Sequence, residues 1–181
     1  SASNLRFAGW ESLHQEQREF RLMDYLFSIH SSHVKRIFAG QKSVELRKRR
    51  LKLEIPSRLW IYETSPVMSV VGHTTIDDVV SDEPQKIWNA YKSKICINEN
   101  FYWEYIGQSN CATAILLSGP KLLKKPIRLP SIRDQIPRFH PPQFYCKMSA
   151  YGPSDWLLSK LQLTKSWRLF STFCADAKGR S

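Results

Sequence analysis

The sequence predicts an α+β fold, a mixed β-barrel of about six strands with short peripheral helices. Three observations predict it. About six short segments are rich in β-branched and aromatic residues and are bounded by Gly, Pro or Ser. Four or five short helical patterns lie among them, spaced too irregularly for the repeating βα units of a doubly wound sheet. The 181 residues are 42% hydrophobic and 12% aromatic, which is too apolar for a disordered chain and enough to bury one core.

The elements follow in order. Trp10 to Met23 reads as a helix with Leu13, Phe20 and Met23 partly on one face. Tyr25-Leu26-Phe27-Ser28-Ile29 reads as a short buried strand. Ser31 or Ser32 can cap a helix carrying Val34, Ile37 and Phe38, and Gly40 supplies its left-handed stop. A strand follows through Ser43 to Arg47. In it, Val44 and Leu46 face one side, and Ser43, Glu45 and Arg47 the other. Leu59 to Glu63 is the next strand, closed by Ser65-Pro66. Another runs from Ser69 to about Val80, with Gly72 marking a bend or bulge.

Pro84 opens a helix through Ile87, Trp88 and Tyr91. Asn98 caps another, through Phe101 to Ile106, ended by Gly107. Cys111 to Ser118 is an apolar strand, and Pro126 to Leu129 reads as a short edge strand, where Pro is tolerated. Pro141-Pro142 precedes a last strand, Phe144 to Met148. Pro153-Ser154-Asp155 starts a helix with Trp156, Leu157 and Leu161, and Trp167, Phe170 and Phe173 argue against a free tail. The expected organisation is an N-terminal extension over 1–24, one domain over 25–149, and a C-terminal helical extension over 150–181 packing on it.

Composition excludes several classes. The longest apolar runs, such as Ala114 to Leu117, are too short to span a membrane, so no membrane partner is expected. The four cysteines, Cys96, Cys111, Cys146 and Cys174, form no CxxC and have no His at ligand spacing. They read as thiols of a reducing compartment, with no zinc site and no disulfide framework. The expected location is the cytoplasm, or the nucleus in a eukaryote. No metal and no cofactor is expected.

The formal net charge of +11 points to a polyanionic partner. It is unevenly spread. Residues 35–58 carry nine basic and two acidic groups, and residues 121–138 carry six and one. Two basic clusters beside apolar and aromatic strands suit a nucleic-acid groove, since phosphates need cations and bases need flat faces. The expected partner is RNA or DNA.

Lys42, Glu45 and Arg47 lie together at a helix-to-strand junction. Glu45 between two cations suits acceptance of a base amino group, a general-base role, or an ion-pair cluster that closes the barrel. Lys48, Arg49 and Arg50 read as phosphate contacts, as do Lys124, Lys125 and Arg128 across the groove. Trp60 reads as core. Tyr62 reads either as a stacking platform in the cleft or as core. His30 and His33 lack a third metal ligand. His73 and His140 are candidates for acid–base work or for polar packing.

Gly40-Gln41-Lys42-Ser43-Val44-Glu45-Leu46-Arg47 resembles the GxKxxExR signature of the ASCH domain, a branch of the PUA-like superfamily. Ile61-Tyr62-Glu63-Thr64-Ser65-Pro66, Val70-Val71-Gly72-His73, Tyr105-Ile106-Gly107, Ala114-Ile115 and Pro141-Pro142-Gln143-Phe144-Tyr145 are similar to further ASCH features, in the same order. The resemblance covers about residues 25–149. It implies a PUA-like barrel with a cleft at the GxKxxExR strand, and nucleic-acid binding that extends, in EVE, YTH and SRA-type relatives, to modified or flipped bases. Some ASCH proteins are enzymes, an amidohydrolase acting on acetylcytidine and a ribonuclease. The amidohydrolase has Lys and a nucleophilic Thr at the positions matching Lys42 and Glu45, and Glu45 cannot act as a hydroxyl nucleophile. The leading expectation is therefore a nucleic-acid-binding module. An ASCH-type enzyme with Lys42 and Glu45 as catalytic groups is one alternative, and a regulatory protein-interaction domain is another.

Overall fold

The computed structural model describes residues 22–148 and 156–161. The helix expected over Trp10 to Met23 therefore lies outside them up to residue 21, and Met23 opens a strand instead. The segment 153–155, the aromatics Trp167, Phe170 and Phe173, and Cys174 also fall outside.

Strand β1 (Met23–Ile29) leads into helix α1 (Ser31–Phe38) and strand β2 (Val44–Arg47). Then come β3 (Ser57–Glu63), β4 (Ser69–Asp82), α2 (Pro84–Ile95), α3 (Glu99–Ile106), β5 (Ala112–Arg128), α4 (Leu129–Gln135) and β6 (Tyr145–Met148). Their termini follow local chemistry. Asn98 accepts a hydrogen bond from Phe101 N at 2.8 Å and caps α3, and Gly107 ends it. Pro84 sits in the first turn of α2, where its missing N–H costs nothing. Helix α1 is capped by the imidazole of His30, which accepts from Ser32 N, and not by Ser31 or Ser32. Gly40 at φ +73° lets Gln41 N and Lys42 N both donate to Arg36 O, at 2.9 and 3.0 Å. That turn aims Lys42 back at the sheet.

The six strands form one sheet in the order β2-β5-β4-β3-β1-β6. The sheet is curled but does not close into a barrel, contrary to expectation. The reason lies in the end strands. The end strands are β2 and β6, since β1 lies between β3 and β6, and β2 does not pair with β6. Strand β5 is also longer than expected. Pro126 to Arg128 belongs to its far end, where it pairs with the start of β4. Leu129 instead begins α4, with Pro130 in the first turn.

Three apolar clusters hold the sheet. Inside the curl lie Phe27, Ile29, Ile37, Leu59, Ile61, Val71 and Ile115. Outside β3, Trp60 and Tyr62 pack with Leu26, Leu129 and Ile132, and with Leu157, Leu158 and Leu161 of the helical stretch 156–161. Outside β2, Val44 and Leu46 pack with α2 and α3. Asp24, 3% exposed, is satisfied by Trp60 Nε1 at 2.7 Å and Arg58 at 3.2 Å.

Gly72 sits at a register shift in the β4–β5 ladder. A Cβ there would lie 2.4 Å from Lys121 O and 2.6 Å from Phe38 Cζ. Glycine thus lets α1 approach the sheet. Gly72→Ala is expected to cost about 1–3 kcal/mol, the usual penalty for overpacking. Urea unfolding measures it, and a loss under ~0.5 kcal/mol would mean that Phe38 and the β5 backbone yield freely.

Candidate nucleic-acid interface

The unpaired seam between β1 and β2 is the candidate site. The alternation read in β2 holds. Val44 and Leu46 enter the outer cluster, while Glu45 and Arg47 line a cavity of about 180 Å³ in the seam. Leu46 between them also borders it, and its other walls come from β1 (Ser28, Ile29), the start of α1 (His30, His33), Lys42, and the α2–α3 region (Ile95, Ile97, Phe101, Tyr105).

Lys42 is 3% exposed. Its ammonium donates to Val44 O at 2.7 Å and to Ile95 O at 2.9 Å, and lies 3.4 Å from Glu45 Oε2. Those three partners match the three donors of an ammonium. Ile95 is the last residue of α2, so the cation also meets the negative end of that helix dipole. Glu45 Oε1 lies 3.2 Å from Arg47 Nη2. The Arg47 guanidinium donates to Ser28 O at 3.4 Å across the seam and covers the Phe27 ring at 5.4 Å. Its Nε is buried and unpartnered among the described residues. The trio carries one surplus positive charge.

Lys48 extends the site. Its ammonium sits 5.7 Å from the centre of the Tyr105 ring, which lines the cavity. The run it begins is held by its backbone: Ser109 Oγ donates to Lys48 O and Thr113 Oγ1 to Arg49 O, each at 2.8 Å. The side chains of Lys48, Arg49 and Arg50 are exposed.

Other expected site residues lie elsewhere. Tyr62 is 3% exposed and belongs to the outer cluster, not the cavity. Positions 60 and 62 share one strand face, and that face packs under α4. Lys124, Lys125 and Arg128 are exposed on the far half of β5 and do not line the cavity. The register nevertheless aligns Ile29, Glu63, Ser69 and Arg128 in one row across four strands. Three strand spacings put Arg128 roughly 15 Å from the cavity's β1 wall. His73 packs against Trp60 with ring centres 4.9 Å apart, and His140 is exposed.

Sequence reasoning missed His33, Phe101, Tyr105 and the Ile95 carbonyl as parts of this site. His33 Nδ1 is buried without a hydrogen-bond partner among the described residues. Burial first, and the Lys42 charge second, push its pKa below 6.5. Burial likewise pushes the Tyr105 hydroxyl up. Among the described residues no three His, Cys, Asp or Glu side chains converge on a metal position. Cys96, Cys111 and Cys146 are free thiols. No helix among the described residues is long and apolar enough to cross a membrane.

The profile of a family described as a domain of unknown function, DUF365, matches residues 23–132. An ASCH domain-containing ribonuclease of Zymomonas mobilis is 31% identical over 118 residues, 65% of this chain and 79% of the relative. The chain is an ASCH domain protein of the DUF365 family. The ASCH crystal structure from Zymomonas mobilis superposes with a TM-score of 0.68 at 29% identity, covering 75% of this chain and 94% of that one. A variant of it gives 0.69 at 28%, covering 76% and 95%. The ASCH signature thus maps onto the seam: its Gly turns the chain, its Lys joins α2 to β2, and its Glu and Arg line the cavity.

Two outcomes follow. Lys42→Met leaves the Ile95 and Val44 carbonyls and one side of Glu45 without their cation. It should destabilise the domain by about 3–5 kcal/mol in urea unfolding, whereas a surface lysine would cost ~0.5 kcal/mol or less. His33, depressed in the fold, supplies stability that is present above pH 6.5 and lost as pH falls below it. The wild-type advantage over His33→Gln should therefore shrink on acidification from pH 6.5, and a gap that widens would contradict the depressed pKa.

Proposed function

We propose that this ASCH domain binds single-stranded RNA, with one unpaired or flipped nucleotide entering the seam cavity. The observation that carries this reading is the juxtaposition at one opening of a net-positive Lys42–Glu45–Arg47 cluster and the Phe101 and Tyr105 rings, with Lys48 against Tyr105. Phe101 is 48% exposed and offers a face for stacking, worth ~1–3 kcal/mol per base. Lys48, Arg49 and Arg50 contact phosphates, which position the strand without reading it. Arg128, with Lys124 and Lys125 beyond it, continues that path on the other side of the cavity. The relative's name, a ribonuclease, favours RNA over DNA as the partner.

Cleavage of the bound RNA is a second reading. It is favoured by His33, whose depressed pKa keeps the imidazole neutral near pH 7 and whose Nδ1 is unpartnered beside the cavity. Lys42 has its donors committed to protein groups, so in this reading it positions Glu45. Degradation of labelled RNA by the wild type, lost in His33→Ala with the fold intact, would establish it.

The binding test is fluorescence anisotropy with single-stranded RNA, and matched DNA, over a range of salt. Affinity should fall steeply with salt. Replacing Lys48, Arg49 and Arg50 with Ala should flatten the log–log slope by about 2, at ~0.7 per phosphate contact on a single strand. Absence of binding, or binding indifferent to salt, would overturn the proposal.

A further inference from the structure

The polar groups of the seam are only partly used by the protein. A carboxylate has about four lone-pair sites. Glu45 gives one oxygen to Lys42 and the other to Arg47, which leaves acceptor capacity on a side chain 8% exposed. Arg47 spends Nη2 on Glu45 and Ser28 O, while its buried Nε–H has no partner among the described residues. The Phe27 ring beneath the guanidinium holds that donor in place. Glu45 and Arg47 both line the cavity, so one carboxylate with acceptor capacity and one guanidinium with a spare donor border the same space. Its volume of about 180 Å³ lies below the ~300 Å³ at which pockets enclose a whole small ligand. One planar base is the size it admits.

Cytosine, adenine and guanine each carry an exocyclic amino group next to an unprotonated ring nitrogen, a donor beside an acceptor. Uracil also has a donor beside an acceptor, N3–H next to O4, but it has no amino group and its N–H is flanked by carbonyls on both sides. A carboxylate that took that N–H would set its second oxygen against a carbonyl oxygen. We infer that the seam selects an amino-bearing base over uracil, Glu45 accepting from the amino group and Arg47 Nε–H donating to the neighbouring ring nitrogen. This rests on the RNA-binding reading above and names the class of base which that site takes.

The test uses the full chain and fluorescently labelled oligouridine of about a dozen nucleotides, within the usual site size for single strands. One central position is changed in turn to cytidine, adenosine or guanosine. Each should bind about 5- to 100-fold tighter than the all-uridine probe, the range of one good base-edge contact. A central N4,N4-dimethylcytidine, with no amino hydrogen to donate, should lose that gain. Glu45→Gln, checked for folding by circular dichroism, should narrow the spread among bases. If that variant does not fold, the dimethylcytidine probe on the wild type carries the same test. Equal, salt-dependent affinity for every probe, or a preference for uridine, would overturn the inference and leave RNA binding standing. No binding to any probe would overturn both.

Discussion

The seam depends on one buried ammonium. Lys42 is in contact with a helix end, a strand carbonyl and a carboxylate at once. Removing a charge from water costs several kcal/mol, so such a group persists only where its surroundings satisfy it fully. Here they do, and the consequence propagates. Lys42 fixes Glu45, Glu45 fixes Arg47, and Arg47 reaches Ser28 on the opposite strand. This relay of side chains spans a gap that no backbone ladder crosses.

The gap itself follows from the strand order. Strand β6 pairs with β1 over residues 24–27 and becomes the end strand opposite β2, with which it does not pair. The segment leading into β6 then continues along the seam: Ser28 N donates to Phe144 O, and Ser28 Oγ donates to Pro142 O at 2.6 Å. The main-chain N–H and C=O of Ser28 are satisfied by this segment and by Arg47. The opening therefore costs little in unpaired backbone, and it leaves polar side chains where a closed barrel would have had a ladder. The cavity and the unclosed sheet are here one feature.

Much of this was legible in the sequence because it is local. Alternation in β2 separated Val44 and Leu46 from Glu45 and Arg47. Gly40, Asn98 and Gly107 marked the helix ends, and Gly72 the bulge, through the backbone conformations they permit or the caps they supply. What was not legible is non-local. Lys42 meets a carbonyl 53 residues away, and nothing in the spacing announces it. The claim of β6 on β1 joins chain segments more than a hundred residues apart, so a barrel was the natural expectation. Tyr62 was ambiguous because a strand's alternation says which residues share a face but not what lies over it. The α4 helix was overlooked for a different reason. Pro126 and Pro130 lie four residues apart, and the first was read as an edge-strand signal while the second opens a helix.

Topology relates the two basic segments through one row of residues. They are some seventy residues apart in sequence, yet β1, β3, β4 and β5 carry Ile29, Glu63, Ser69 and Arg128 in one row. Beyond Leu117, β5 pairs with β4 but not with β2 among the described residues. That bare edge carries Pro120, Lys121, Lys124, Lys125 and Pro126. Prolines and lysines are what an exposed edge needs to refuse a further strand. The same lysines bring positive charge to the Arg128 end of the row. Protection of the edge and attraction of a polyanion call for the same residues, so charge at this edge cannot by itself reveal which requirement it serves. The seam is different. There the charge is buried, satisfied on one side and unsatisfied on the other, and edge protection does not account for an unpartnered guanidinium nitrogen beneath the surface.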